Sequence, residues 1–126
     1  MTLRTTLVGP GRDLLGESPL WDAREQALYW VDSRRRLVQR WRDGEPVRTW
    51  PTPSDVGSIA LARPGVLIVA LEAGFASLEL DTGQITIHSL DVMGSALARI
   101  DAHRQLLVAD DGLYIREPAD GRMALY

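Results

Sequence analysis

Short apolar segments alternate with polar turns along the chain. The segment 16–22 (GESPLWD) leads into an apolar stretch through a glycine and a single carboxylate, and the segment 27–32 (ALYWVD) is rich in aromatic and β-branched residues. Such stretches favour pleated, largely buried β-strands. Residues 91–99 would fit a helix in isolation, but their alignment with the strand that begins near Gly57 favours a strand.

This layout occurs three times and predicts three four-stranded units. The units cover about residues 14–50, 55–90 and 92–126. Their turn glycines, Gly44, Gly83 and Gly121, recur at a spacing of roughly 40 residues, which is the period of four-stranded propeller blades. Residues 3–8 are a further candidate, an extra closing strand ahead of the first unit.

A four-stranded blade has two faces and cannot bury both of them alone, so blades must stack on one another. The 126 residues are expected to fold as a single domain, 1–126. Three blades form an open arc, because a ring needs at least about four. The sequence therefore predicts an all-β propeller array that needs a partner copy or further sequence to close.

Composition and charge narrow the classes of function. The net charge of −3 gives no electrostatic reason to expect binding to nucleic acid or to a membrane surface. The basic cluster 34–36, continued by Arg40 and Arg42 around Trp41, is a local argument for nucleic acid that this total charge outweighs. The absence of cysteine excludes disulfides and thiolate chemistry. No apolar run has the length of a membrane span or a signal peptide, so a cytoplasmic location is expected by default.

The segment 16–22 carries a specific resemblance to a known family. Together with the segments 28–32, 56–61 and 67–71, it resembles the gluconolactonase family, which includes senescence marker protein (regucalcin) and luciferin-regenerating enzyme. The resemblance runs over about residues 6–90. It implies a six-bladed β-propeller with a divalent cation on its axis that hydrolyses lactones or related esters. Three four-stranded blades would then be half of such a ring.

The resemblance also implies a metal ligand. The glutamate of the family's Gly-Glu-x-Pro motif maps onto Glu17, which from the residues alone is simply an exposed glutamate at the start of a strand. A carboxylate there suits Ca²⁺, Mg²⁺ or Mn²⁺, and Zn²⁺ is a further candidate. The ion would polarise a lactone carbonyl or activate water. Asp55 is a secondary candidate ligand, because it precedes the segment 56–57 that is expected to face the axis.

Other parts of the family pattern are missing. The family carries an Arg-x-Asn-Asp-Gly motif that contacts substrate, and aligning its glycine with Gly94 puts Leu90, Val92 and Met93 in place of the three functional residues. The family's two remaining metal ligands belong to later blades that this chain does not contain. One copy therefore offers one of three ligands, and the catalytic and substrate-binding residues stay unassigned.

A homodimer would supply what one copy lacks. Two copies make six blades, and their two Glu17 carboxylates would face each other across the axis beside Val56 and Met93; a homotrimer of nine blades is the alternative. The expected function is that of a metal-binding, at most weakly active lactone hydrolase. The alternatives are an inactive half-propeller that assembles into a ring and serves as a binding or scaffold module, and a shortened gene product without an independent role.

Several other polar residues are interpreted as structural. His88 is placed in an outer strand and His103 in a turn, without a serine and a carboxylate at the spacing of a catalytic triad. Asp32 and the pair 110–111 are interpreted as carboxylates of turns or strand ends. The tryptophans are expected to pack between blades: Trp21, Trp30, Trp41 and Trp50.

Overall fold

The computed structural model describes residues 3–9, 11–72, 74–88, 94–99, 104–109, 112–116 and 123–125. These residues form three antiparallel sheets of four strands, and in each sheet the strands lie side by side in chain order. The prediction of an all-β protein is confirmed, and the segment near residue 94 is a strand rather than a helix. No helix in the described part of the chain is long and apolar enough to cross a membrane.

The three sheets follow one another along the chain. Sheet 1 contains β1 (Gly16–Asp22), β2 (Ala27–Asp32), β3 (Leu37–Trp41) and β4 (Arg48–Pro51). Sheet 2 contains β5 (Val56–Leu61), β6 (Val66–Leu71), β7 (Gly74–Glu79) and β8 (Ile85–Ile87). Sheet 3 contains β9 (Gly94–Arg99), β10 (Gln105–Ala109), β11 (Gly112–Arg116) and β12 (Met123–Leu125). The assignment of residues 1–126 to a single domain and the unit boundaries stay predictions.

Two of the recurring glycines close the turns between the last two strands of their sheets. Gly44 has a φ of +78° and Gly83 a φ of +77°, in the left-handed region that residues with a Cβ rarely adopt. Steric crowding does not explain why glycine occupies these positions. A Cβ on Gly44 would meet no atom within 4 Å, and a Cβ on Gly83 would meet only a side-chain atom at 3.8 Å. Gly121 lies outside the described residues.

Sheet 2 is the middle layer of a stack. Its first strand, β5, lies between β1 of sheet 1 and β9 of sheet 3. The strand β6 (VLIVAL) is buried at all six positions and shows no alternation of apolar and polar residues. This pattern is expected of a strand that is covered on both faces. One face of β6 joins the main core with sheet 1, and Val66 and Ile68 on the other face form a second buried cluster with Ala62.

Trp50 packs between sheets 1 and 2, as the sequence predicts. It is only 3% exposed, and its indole N–H donates to the carbonyl oxygen of Leu80 at 2.9 Å. Arg48 donates to the same oxygen at 2.9 Å. The guanidinium carbon atoms of Arg48 and Arg40 lie 4.7 Å and 5.4 Å from the indole ring centroid. A buried indole therefore holds the outer strand of sheet 1 against sheet 2 through packing, a hydrogen bond and cation–π contacts.

Within the described part of the chain, no sheet covers Trp21, which is 48% exposed. Trp21 pairs with Leu28 across β1 and β2, one position out of phase with Leu20 and the core residue Tyr29. Neighbouring side chains of a strand point to opposite faces, so Trp21 projects from the face of sheet 1 that is turned away from sheet 2. In the described part of the chain, sheet 2 packs on the other face of sheet 1, and no sheet packs on the face that carries Trp21. We call the side that carries Trp21 the outer face of sheet 1.

The predicted strand over residues 3–8 is not formed. Residues 3–9 are not part of any sheet, and Leu3 and Leu7 are each 87% exposed. A strand needs an open sheet edge, and the fourth position of sheet 3 is already taken by β12. The chain instead approaches the outer face of sheet 1, where the Asp13 carboxylate accepts hydrogen bonds at 2.8 Å from both Trp30 and Gln39.

We predict that Trp50→Phe lowers the free energy of unfolding by about 1–3 kcal/mol, because it removes the buried hydrogen bond to Leu80 and part of the packed indole. Urea unfolding followed by far-UV circular dichroism measures this change. The control is Ile87→Val at an exposed position in β8, away from the outer face of sheet 1, which should stay within about 0.5 kcal/mol of the unmodified chain. Equal effects of the two substitutions would contradict the assigned role of Trp50.

Candidate functional site at the inner strands

The first strands of the three sheets, β1, β5 and β9, lie next to one another in the stack, and we call them the inner strands. Each carries one extra residue near its start. The pairings that bracket the extra residue are Glu17–Val31 and Leu20–Tyr29 in sheet 1, Val56–Leu71 and Ser58–Ala70 in sheet 2, and Gly94–Ala109 and Ala96–Val108 in sheet 3. Such β-bulges redirect side chains and are common next to functional sites. The bulges were not predicted from the sequence.

Glu17 lies where the bulge of β1 begins. Its side chain is exposed, and among the described residues it makes no ion pair or side-chain hydrogen bond. A carboxylate that no basic group neutralises retains its full capacity to bind a cation. In donor type it fits a hard divalent ion as a single ligand.

The described residues do not build a complete metal site around Glu17. They contain no group of three or more histidine, cysteine, aspartate or glutamate side chains close enough to hold an ion. Val56, which was expected beside Glu17, is buried at the start of β5, and Met93 lies outside the described residues. The role of Glu17 as a ligand therefore stays a prediction, and no hydrolytic step is assigned to the residues in view.

Asp55, the secondary candidate, is engaged by a basic residue. Arg36 donates from Nε to the Asp55 carboxylate at 3.1 Å, and both side chains are about half exposed. The backbone carbonyl of Asp55 also accepts from the N–H of Glu72 at 3.3 Å. The contact with Arg36 connects the β2–β3 turn of sheet 1 to the residue before β5, and the contact with Glu72 connects that residue to the end of β6 within sheet 2. Together they give Asp55 a structural explanation. Its role as a ligand also stays a prediction.

Ser18 follows Glu17 and connects the first two inner strands. Its hydroxyl oxygen accepts a hydrogen bond from the backbone N–H of Ile59 at 3.2 Å and lies 3.2 Å from the hydroxyl oxygen of Ser58. Its φ is +57°, in the left-handed region. Sequence reasoning missed this contact. The recurrence of serine 40 positions apart, close to the repeat period, was the signal that could have indicated it.

Residues 15–99 match the model of the SMP-30/gluconolactonase/LRE-like region. The chain belongs to this family. The match contains the inner-strand entrance at Glu17 and Ser18 and all of sheets 1 and 2. The family assignment made from the sequence is therefore confirmed.

Two curated relatives illustrate the likeness in sequence. The chain is 38% identical over 85 residues to L-arabinolactonase of Azospirillum brasilense, a match that covers 66% of this chain and 28% of that protein. It is 35% identical over 79 residues to regucalcin of Gallus gallus, covering 62% of this chain and 26% of that protein. The matched part thus spans less than a third of each relative.

Two solved structures resemble the fold. Regucalcin from Agrobacterium tumefaciens, described as a calcium-binding protein, superimposes with a TM-score of 0.71 at 16% identity, over 90% of this chain and 43% of that one. Luciferin-regenerating enzyme superimposes with a TM-score of 0.74 at 20% identity, over 93% of this chain and 46% of that one. At these identities the likeness establishes the fold, which is of the regucalcin type.

Asp32 has a structural role in this member of the gluconolactonase family. Its fully buried carboxylate accepts hydrogen bonds from the backbone N–H groups of Leu14 at 2.8 Å and of Leu15 and Arg35 at 3.2 Å. Burial alone would raise the pKa of Asp32, but these N–H groups and the charge of Arg35 outweigh it and lower the pKa. The interpretation of Asp32 as a strand-end carboxylate agrees with these contacts.

Tyr29 is likewise a structural residue. Burial, and then the hydrogen bond that its hydroxyl donates to the Glu25 carboxylate at 2.9 Å, raise the pKa of Tyr29 to about 12. The phenol is therefore neutral at physiological pH. A phenolate at this position would face both a desolvation cost and a nearby negative charge.

The structure brings one histidine next to a serine. Nε2 of His88 lies 2.9 Å from the Ser77 hydroxyl oxygen, at the outer strands of sheet 2 and away from the inner strands. The nearby Glu79 carboxylate lies 3.7 Å from Arg63 and 3.5 Å from the Thr82 hydroxyl. Sequence reasoning missed this pair. Ser77 pairs with Thr86 across β7 and β8, and His88 follows Thr86 by two residues, which brings it close to Ser77. His103 and the pair 110–111 lie outside the described residues.

Most arginines of the basic cluster have acidic partners. Besides the pair of Arg36 with Asp55, the nitrogen–oxygen distances are 3.7 Å for Arg35–Asp32, 3.7 Å for Arg40–Glu45 and 3.1 Å for Arg42–Glu45. Arg40 also lies over the Trp50 ring. These contacts explain the cluster as part of the hairpins of sheet 1.

We predict that Asp32→Asn lowers the free energy of unfolding at pH 7 by about 1–3 kcal/mol, because it weakens hydrogen bonds to a buried charge. It should also change the pH dependence. The pKa of Asp32 is lowered in the folded chain, so its stabilising contribution is complete above the unfolded value of about 3.9 and is lost as the pH falls through the lower folded value.

The measurement is urea unfolding followed by circular dichroism between pH 7 and pH 3. The unmodified chain should lose more stability than Asp32→Asn as the solution becomes acidic. The exposed turn residue Asp43 provides the matched control, and Asp43→Asn should follow the unmodified chain at every pH. Parallel acid losses in the unmodified chain and Asp32→Asn would contradict the role given to this carboxylate.

Proposed function

We propose that this chain forms part of a lactone hydrolase in which Glu17 is one ligand of a divalent cation. Membership of the gluconolactonase family supports the reaction class, and relatives of this chain are named as lactonases. The observation that carries the residue assignment is the exposed, unneutralised Glu17 carboxylate at a bulged inner-strand entrance. A bound Ca²⁺, Mg²⁺, Mn²⁺ or Zn²⁺ ion would polarise the lactone carbonyl toward attack by water.

The remaining ligands of such a site must come from outside the described residues. We propose that a second copy of the chain supplies them in a homodimer that closes a six-bladed ring. The chain covers 43% and 46% of the two solved relatives, so two copies approach the extent of one such ring. Two facing Glu17 carboxylates would repel each other unless a cation or a proton lay between them, so closure and ion binding would support each other.

The outer face of sheet 1 is where we place the second copy. It carries Trp21, 48% exposed, and the adjoining Leu14 and Leu15 are 65% and 43% exposed. Within the described residues, sheet 2 covers only the opposite face of sheet 1. In a two-fold dimer, sheet 3 of the partner would pack here, and the same contact would occur twice.

A second candidate function is a catalytically inactive module that assembles into a ring and binds a ligand or serves as a scaffold. The observation in its favour is that the described residues hold no cluster of three or more ligand side chains. The two candidates share the assembly and differ in ion binding and hydrolysis. Measurements of those two properties therefore decide between them.

We predict that the chain binds Mn²⁺ and that Glu17→Gln abolishes binding, because the amide removes the charge while keeping the shape of the side chain. Electron paramagnetic resonance of free Mn²⁺ measures binding, and a pH-stat measures the acid released when a sugar lactone opens. The matched control is Asp81→Asn, an exposed carboxylate in the β7–β8 turn, which should bind and hydrolyse like the unmodified chain.

The outcomes separate the two candidates. Loss of both binding and hydrolysis in Glu17→Gln alone supports the hydrolase. Absence of Mn²⁺, Ca²⁺, Mg²⁺ and Zn²⁺ binding by the unmodified chain removes the hydrolase and leaves the inactive module. Hydrolysis that persists in Glu17→Gln contradicts the role of this residue.

We predict that the chain has twice its monomer mass in size-exclusion chromatography with light scattering, and that Trp21→Arg converts it to the monomer. Arginine places a charge on the outer face of sheet 1 without entering the core. Ile87→Arg, at an exposed apolar position in β8, is the matched control and should leave the dimer intact. A stable monomer of the unmodified chain overturns the dimer, and a mass of three chains replaces it with the nine-bladed trimer.

A further inference from the structure

We infer that Ser18 is a positioning residue that fixes the direction of the Glu17 side chain by tying the entrance of β1 to β5. The inference rests on the proposed role of Glu17 as a metal ligand. It concerns a residue that touches neither substrate nor ion. Three observations support it: the backbone conformation of Ser18, the two contacts that Ser18 makes with sheet 2, and the position of Ser18 directly after Glu17.

The backbone of Ser18 is held in an uncommon conformation. A φ of +57° places a residue with a side chain in the left-handed region, and glycine would adopt that conformation more easily. Ser18 also occupies the bulge of β1, between the paired residues Glu17 and Leu20. Such conformations persist only where the surroundings hold them.

The surroundings of Ser18 come from the neighbouring sheet. Its hydroxyl oxygen accepts from the Ile59 N–H at 3.2 Å and lies at the same distance from the Ser58 hydroxyl oxygen. Ser58 is a buried polar residue, 8% exposed, so its position is fixed by the packing of sheet 2. One hydroxyl group therefore links two inner strands at the point where their sheets meet.

This link determines where Glu17 can point. Glu17 is the last regularly paired residue before the bulge, because the pairing with β2 is broken between Glu17 and Leu20. An untied bulge could rotate and direct the carboxylate elsewhere. With Ser18 fixed to β5, the peptide that joins Glu17 to Ser18 is fixed as well. The serine thus lowers the conformational freedom that an ion would otherwise have to restrict on binding.

The test compares the Mn²⁺ affinity of Ser18→Ala and Ser18→Gly with that of the unmodified chain. Both variants lose the hydroxyl group, and glycine additionally accepts the positive φ. We expect both to weaken binding by about 10–100-fold, the range found when groups that orient metal ligands are removed. Electron paramagnetic resonance is recorded at a temperature at which circular dichroism shows every variant to be folded.

The matched control is Ser77→Ala, which removes one serine hydroxyl from an outer strand of sheet 2, and it should keep the affinity of the unmodified chain. If Ser18→Ala and Ser18→Gly bind like the unmodified chain while Glu17→Gln does not bind, the inference on Ser18 fails and the proposed function stands. If Ser18→Gly alone recovers full affinity, the backbone conformation rather than the hydroxyl link is decisive, which overturns the inference. If the unmodified chain binds no ion, both proposals fall.

Discussion

The contact between apolar sheet faces is the constraint on which the rest of this structure depends. An antiparallel sheet of four short strands has two faces, and most of its stability must come from covering them, because burial of apolar area is the main favourable term in folding. Sheet 2 meets this requirement on both sides, and β6 can therefore consist entirely of buried apolar residues. Sheet 1 meets it on one side through Trp50 and its neighbours. Its other side presents a large aromatic side chain to solvent at Trp21.

Stacking of the sheets also places the chemistry. Once two sheets are packed face to face, their first strands lie side by side, and the entrances of these strands meet at one place. The bulges then release a few residues from the ladder of backbone hydrogen bonds at that place. The side chain of Ser18 replaces part of that ladder with a contact to the next sheet. The neighbouring carboxylate of Glu17 is left without a partner in the described residues and so remains able to bind a cation.

The sequence predicted those features that arise from local chemistry and from repetition. The spacing of the turns, the turn positions of Gly44 and Gly83, and the burial of Trp50 all follow from short stretches of residues and were found as expected. The exposure of Trp21 and the absence of a strand over residues 3–8 were not predicted. Both depend on whether another sheet is present to cover a face or offer an edge, and no local pattern contains that information. The contact of Ser18 with β5 and the pairing of Ser77 with His88 were missed because they join residues of different strands.

The function of the chain is connected to the outer face of sheet 1, which no other sheet covers in the described part of the chain and which the segment around Asp13 covers only in part. A hard divalent cation takes several oxygen ligands at once, and a lone exposed carboxylate binds such an ion only weakly. The described residues offer Glu17 and no cluster around it. Whatever covers the outer face of sheet 1 would bring another inner-strand entrance toward Glu17, because neighbouring sheets in this stack meet at their first strands. In the assembly that we propose, closure of the sheet stack would therefore also complete the metal site, and a substitution that prevents closure would weaken ion binding.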